Sequence, residues 1–190
     1  MDNIFDNRNE YKALSDELQP LREAGKRIVM CSGTFDLFHK GHVKLLEEAK
    51  SNGDILVVAV KSDNAAKLKN VHPVTMKQSD RMYMVANCRH VDFVLLAEYR
   101  IDEPIPQFVF EDTAAIEWLK IFTPVVKAIR PDCFVHEDNK ILANARKQLF
   151  ARYNVEGIVN PRTEGVSTTM IIEQIISGYF MSMQTQTDKS

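Results

Sequence analysis

The chain has 190 residues, with 24 Lys+Arg against 26 Asp+Glu, a formal net charge of −2 at pH 7 and 45% hydrophobic residues. At about 100–200 residues per domain this is one globular domain with a full core. The near-neutral balance argues against a generic nucleic-acid binder, local basic patches aside, and the run of about 18 apolar residues that a membrane span needs never occurs. The opening MDNIFDNRNEYKALSDEL has no basic stretch followed by an apolar one, so no secretory signal is expected. Cys31, Cys88 and Cys133 are odd in number and widely spaced, which fits neither a disulfide framework nor a CxxC metal site. Two of them sit in apolar runs where free thiols pack as small hydrophobes, and a reducing, cytoplasmic setting is expected.

In chain order, residues 1–26 read as a polar helical extension, with Leu14, Leu18 and Leu21 at helical spacing and Gly25 as the stop. A main domain is expected over 27–181 and a frayed tail over 182–190. Within the domain the apolar run 27–32 precedes a helix near 40–52, and 54–60 reads as a buried strand of Val, Ile and Leu. A helix over 78–89 leads to a strand at 91–96, and 98–112 is the expected irregular loop. Residues 113–129 are helical, with Pro124 expected to break or kink them. A strand at 132–136, a helix at 140–152, a strand at 155–160 and a helix from Thr168 complete the pattern. Strands alternating with helices specify an α/β fold, a single Rossmann-like doubly wound parallel sheet of about five strands with an added N-terminal helix. Ligands then belong beyond the carboxyl ends of the strands.

Neither GxGxxG nor GxxxxGK[ST] occurs, so a redox Rossmann enzyme and a Walker loop are both set aside. What remains is CSGTFDLFHKGHVKLLEEA. There His39 and His42 fall three apart at the start of a helix, so both rings can share one face of its first turn. Unpaired backbone N–H groups and the positive dipole end make that turn a phosphate seat. Gly41 removes a side chain where a ligand can approach the backbone. Two ordinary surface histidines is the plainer reading, but the strand–loop–helix junction is where a site belongs. A zinc pair lacks a third ligand and the Glu of HExxH.

The second constellation is PRTEGVSTTMIIEQI. Ser167, Thr168 and Thr169 precede a stripe of Ile171, Ile172, Ile175 and Ile176, so one hydroxyl caps the helix. The three hydroxyls and the free amides also offer a second phosphate seat, with Arg162 supplying a guanidinium fork just upstream. Lys67 and Lys69 follow the second strand of the pattern and Arg81 opens the next helix; each is a candidate phosphate ligand set against an ordinary surface charge. Asp63 and Asp138 sit at strand ends, where either could orient a ligand or turn the chain.

GTFDLFHKGHVKLL together with RTEGVSTTMIIEQI resembles the cytidylyltransferase-like nucleotidyltransferases, over about residues 27–177. RTEGVSTT is similar to the glycerol-3-phosphate, phosphocholine and phosphoethanolamine cytidylyltransferases. The N-terminal helix, LKNVHPVT, the SDR at 79–81 and EDT…IRPD resemble instead the ADP-heptose synthase adenylyltransferases. The Arg-containing motif favours CTP with a small phosphate monoester acceptor; ATP with a heptose 1-phosphate is the alternative.

The resemblance implies direct in-line attack by an acceptor phosphate oxygen on the α-phosphorus, with pyrophosphate leaving. His39, His42, Lys69 and Arg162 are the implied catalytic set. Gly33, Thr34, Phe35, Asp36, Gly41, Asp63, Lys67, Arg81, Asp138, Thr163, Gly165, Ser167, Thr168 and Thr169 are the implied nucleotide contacts. Mg²⁺ is expected to be held mainly by the phosphates, with no protein cage, and a homodimer is implied. HEDNK at 136–140 departs from the family's usual glycine-containing segment. It sets Glu137 near the expected base, where a carboxylate is unfavourable unless Lys140 or the metal pairs with it. That substitution is the sole support for a reading of another class, a nucleotide-binding sensor without turnover.

Overall fold

The computed structural model describes residues 3–68, 73–100 and 112–187, with side chains to residue 179. Six parallel strands form one sheet in the order β1-β4-β3-β2-β5-β6. They are β1 (Ile4–Phe5), β2 (Ile28–Gly33), β3 (Ile55–Lys61), β4 (Phe93–Ala97), β5 (Cys133–Glu137) and β6 (Glu156–Asn160). The helices are α1 (Tyr11–Glu23), α2 (Lys40–Lys50), α3 (Asp63–Lys67), α4 (Gln78–Ala86), α5 (Thr113–Ile129), α6 (Lys140–Tyr153) and α7 (Thr168–Thr187).

Alternate residues of β2, β3, β4 and β5 enter opposite cores, as the pleat requires. Ile28, Met30, Val57, Ala59, Leu95 and Phe134 join α1, α5 and α6 in one cluster. Val29, Cys31, Val58, Val60, Val94 and Val135 join α2 and α4 in the other. Burial of both faces explains why β3 reads as a continuous apolar run rather than an alternating one. Cys31 and Cys133 lie buried and unbridged in the second cluster, and burial pushes the Cys31 thiol up to about 12, away from reactivity.

The N-terminal stretch differs from a single polar helix. Ile4 and Phe5 pair with Val94 and Leu95 as a sixth, edge strand, and a 3₁₀ turn at Arg8–Glu10, capped by Asn7, then starts the helix. A two-residue strand carries no periodicity, so the sequence pattern cannot reveal it. Leu14 and Leu18 of α1 are 0% exposed and the Tyr11 hydroxyl donates to the Leu96 carbonyl at 2.6 Å, so this helix is part of the core. Helix α5 continues through Pro124, which removes one N–H from the ladder without ending it. It stops at Arg130, left-handed at φ 46, just before Pro131. Helix α7 extends the expected tail segment to Thr187. Most of the loop expected over 98–112 lies outside the described residues. Among the described residues no helix is long and apolar enough to cross a membrane.

Candidate active site

The order in which strands are added to the sheet reverses between the parallel neighbours β2 and β5, and the crevice at their carboxyl ends is where an open α/β sheet accepts ligands. A cavity of about 470 Å³ occupies it. Gly33, Thr34, Phe35, Asp36 and His42 line one side, and Arg162, Thr168 and Thr169 another. A second cavity of about 240 Å³ adjoins it, sharing His42, Arg162, Thr168 and Thr169 and adding His39, Gly41, Thr163 and Ser167.

His39 is the N-cap of α2, extended at φ −139, and its ring Nδ1 accepts the Gly41 amide at 3.1 Å. His42 reaches back so that its own Nδ1 accepts the His39 amide at 3.3 Å. The two rings stack with centroids 3.8 Å apart, and Phe35 and Phe38 flank His42 at 5.2 and 5.5 Å. A nitrogen that accepts an amide hydrogen carries none of its own, so in each neutral ring the proton resides on Nε2. Burial chiefly, then the neighbouring His39, pulls the His42 pKa down to about 3 against the opposing pull of Asp36. Burial and the Arg162 cation lower His39 as well. Both imidazoles are therefore neutral N–H donors at physiological pH. Gly41 keeps this geometry uncrowded, because a Cβ there would stand 3.0 Å from His39 Cε1 and 3.1 Å from Val166 Cγ1, and these side chains would have to shift.

The loop between β2 and α2 holds two non-glycine residues in the left-handed region, Phe35 at φ 57 and Leu37 at φ 43. Such strain persists only where surroundings over-determine it. Here the Asp36 carboxylate accepts the amides of Thr75, Met76 and Leu37 at 2.8, 2.9 and 3.1 Å. Arg81, 0% exposed, donates to the carbonyls of Thr34 and Met76 and to the Asp63 carboxylate. From the far side Thr168 Oγ1 donates to the Asp36 carbonyl at 3.0 Å, tying the start of α7 to this loop. Ser167 is the cap of α7, accepting the Met170 amide at 3.1 Å, and Gly165 makes the preceding turn at φ 75.

The structure thus brings together His39, His42, Gly33, Thr34, Phe35, Asp36, Gly41, Arg162, Thr163, Ser167, Thr168 and Thr169. It turns Asp63 and Arg81 toward each other beneath the Thr34 loop, so neither lines a cavity wall. Lys67 is exposed in the last turn of α3 and Asp138 is exposed after β5, both outside the two walls, and Lys69 lies outside the described residues. Asn139, next to Asp138, is the wall residue instead; its Oδ1 caps α6 through the amides of Ile141 and Leu142.

Of one further part of the larger cavity's wall, the sequence pointed only to Glu137. Trp118 of α5, His136 and Glu137 of β5, and Leu142 and Arg146 of α6 line it. The available signal was a charge inside an apolar stripe: Leu142, Ala145, Arg146 and Leu149 share the buried face of α6. Burial depresses the pKa of Arg146 against the nearby Glu137 and Asp138. Burial also lowers His136, the Arg146 cation adding to the effect while a hydrogen bond to the Glu137 backbone opposes it. No group of three or more His, Cys, Asp or Glu suited to a metal is present among the described residues.

The sequence profile of the Cytidylyltransferase-like family matches residues 30–174, and the chain belongs to that family. The bifunctional protein HldE of Helicobacter pylori (strain HPAG1) is 33% identical over 159 residues, covering 83% of this chain and 29% of that protein. HldE of Aliarcobacter butzleri (strain RM4018) is 34% identical over 125 residues, 63% of this chain and 24% of that protein. The chain therefore spans under a third of the length of these relatives. Among solved structures, the lipopolysaccharide core biosynthesis protein from Thermoplasma volcanium GSS1 aligns at 23% identity with a TM-score of 0.51, over 73% of this chain and 98% of that one. Pantoate-beta-alanine ligase from Francisella tularensis, complexed with beta-gamma ATP and beta-alanine, aligns at 16% identity with a TM-score of 0.59, over 85% and 67%. These two show the shared fold.

Proposed function

We propose that this member of the Cytidylyltransferase-like family is an enzyme that transfers a nucleoside monophosphate from a triphosphate to the phosphate of a small acceptor, releasing pyrophosphate. The observation that carries the reading is the joining of two helix N-termini across one cavity by the Thr168–Asp36 hydrogen bond, with two neutral imidazoles between them. The positive N-terminal ends of α2 and α7 suit a polyphosphate. Each imidazole keeps Nε2–H as its remaining donor, suited to oxygens on which charge builds during in-line displacement. Arg162 borders both cavities and supplies the cation beside the leaving group.

Mg²⁺ would neutralise the triphosphate and stay largely hydrated. The walls fit that role. The Asp36 carboxylate is filled by three amides, while the Glu137 carboxylate borders both cavities and forms no ion pair among the described residues. Glu137 is thus the wall carboxylate left to meet the hydrated ion.

ATP is the donor and a sugar 1-phosphate the acceptor in the better supported version. The matching curated relatives are HldE proteins, in line with the N-terminal helix and the segments LKNVHPVT, SDR and EDT…IRPD. A choline-type cation would find the Trp118 face covered by the Arg146 guanidinium, 5.8 Å from the ring centroid. CTP with glycerol 3-phosphate is the second version, favoured by RTEGVSTT with Arg162 in the wall. The test is pyrophosphate release with Mg²⁺, crossing ATP and CTP against heptose 1-phosphate, glycerol 3-phosphate, phosphocholine and phosphoethanolamine. Release with ATP and the sugar phosphate is the expected result. Release in a CTP row transfers the assignment to the second version. Nucleotide binding without release in any row refutes the enzyme and leaves a sensor.

A further inference from the structure

Arg146 is only 9% exposed, yet its charge is incompletely met. Nη1 donates to the Glu137 carbonyl at 2.7 Å and contacts His136 Nδ1 at 3.0 Å. Nε is buried with no hydrogen-bond partner, and among the described residues no carboxylate forms an ion pair with the guanidinium. Its Cζ lies over the Trp118 ring, 5.8 Å from the centroid. A desolvated cation with an unused N–H edge is unfavourable until an anion meets it. The group also lines the larger cavity, and Glu137, whose carbonyl it grips, borders the histidine side as well.

In the transfer reaction three groups enter that cavity. The triphosphate belongs to the positive helix ends of α2 and α7, and the nucleoside itself carries no anion. The phosphate of the acceptor is the anion left to place. We propose that Arg146 seats the acceptor's phosphate monoester in the cavity wall formed by α5, α6 and the end of β5, with the guanidinium fork fixing the oxygen that attacks. A planar fork holds a phosphate in one orientation, which an in-line displacement needs. The inference rests on the nucleotidyl-transfer reading for its kinetic part, while its binding part stands apart from turnover.

Trp118 is the one tryptophan of the chain, so an anion drawn to Arg146 alters the emission of the residue beneath it. The experiment titrates inorganic phosphate and a sugar 1-phosphate into the full chain without nucleotide and follows tryptophan fluorescence, for wild type, Arg146→Lys and Arg146→Gln. Wild type should give a saturable change. Arg146→Gln should weaken it at least ~10-fold, as loss of a charge-assisted fork implies, and Arg146→Lys should retain part of it. In turnover assays the same variants should raise the acceptor KM at least ~10-fold with the nucleotide KM within about twofold, the signature of lost acceptor binding. Circular dichroism checks that each variant folds. A wild-type signal unchanged in folded Arg146→Gln overturns the proposal, as does a raised nucleotide KM with an unaltered acceptor KM. An absence of phosphate response in wild type also overturns it. An Arg146-dependent phosphate response from a protein that releases no pyrophosphate supports the anion seat while refuting the transferase reading.

Discussion

At His42 one ring serves the helix and, in the proposed reaction, the chemistry, since Nδ1 accepts the His39 amide and Nε2 keeps its hydrogen. Replacing it with alanine should lower kcat/KM at least ~10²-fold, the scale of losing a preorganised donor; steady-state kinetics on a variant of unchanged circular dichroism measures this. Its pKa carries a second prediction. In the folded protein it stands at about 3 against an ordinary 6.5, so below pH 6.5 the unfolded chain gains a proton that the folded one refuses. The stability contribution is intact above that value and declines as pH falls toward about 3. Melting curves from pH 7 to 4 should show a steeper fall in Tm for wild type than for His42→Asn. HKGH was legible because its contacts are local, spanning three residues. Arg81 and Asp63 stand beneath the Thr34 loop and not in the cavity walls, because a strand end can face either the ligand or the underside of a loop, and only the folded chain brings Thr34 within reach of Arg81. Arg146 was unread for the same reason, its partners His136 and Glu137 belonging to another element.

Elements act through how they brace the strained loop after β2. Helix α4 brings Arg81 beneath it, α7 reaches it through Thr168, and the segment before α4 supplies the Thr75 and Met76 amides. Helix α1 contributes differently, closing the core over α5 with Leu14 and Leu18 fully buried. Leu18→Ala should destabilise the fold by ~2–5 kcal/mol, the range for a leucine cavity in a packed core, read by urea unfolding at constant m-value. Leu14, Leu18 and Leu21 revealed this helix from sequence, whereas its packing partner was hidden. Helical spacing identifies an apolar face but not what the face meets.

For the whole molecule, alternation of strands and helices was enough to give the doubly wound sheet, because parallel strands need covered faces and long crossovers. The order of strands and the edge position of Ile4–Phe5 came only with the structure. The β6 edge and α7 carry exposed apolar residues: Val159 at 57%, Ile175 at 61% and Tyr179 at 63%. The homodimer implied by the family resemblance has there a surface to bury, and sedimentation at micromolar concentration should give twice the 21.7 kDa chain mass. A species of single-chain mass alone removes the dimer.

The capping of α2 by its own two histidines reaches into the response to heat. Rings that close the first turn of a helix are aimed as soon as that turn forms and are released only when it opens. The donors therefore keep their orientation through every temperature at which α2 is intact. Warming the protein should leave turnover rising smoothly until the helix start unravels, so that thermal inactivation and the local melting of one helical turn become a single event.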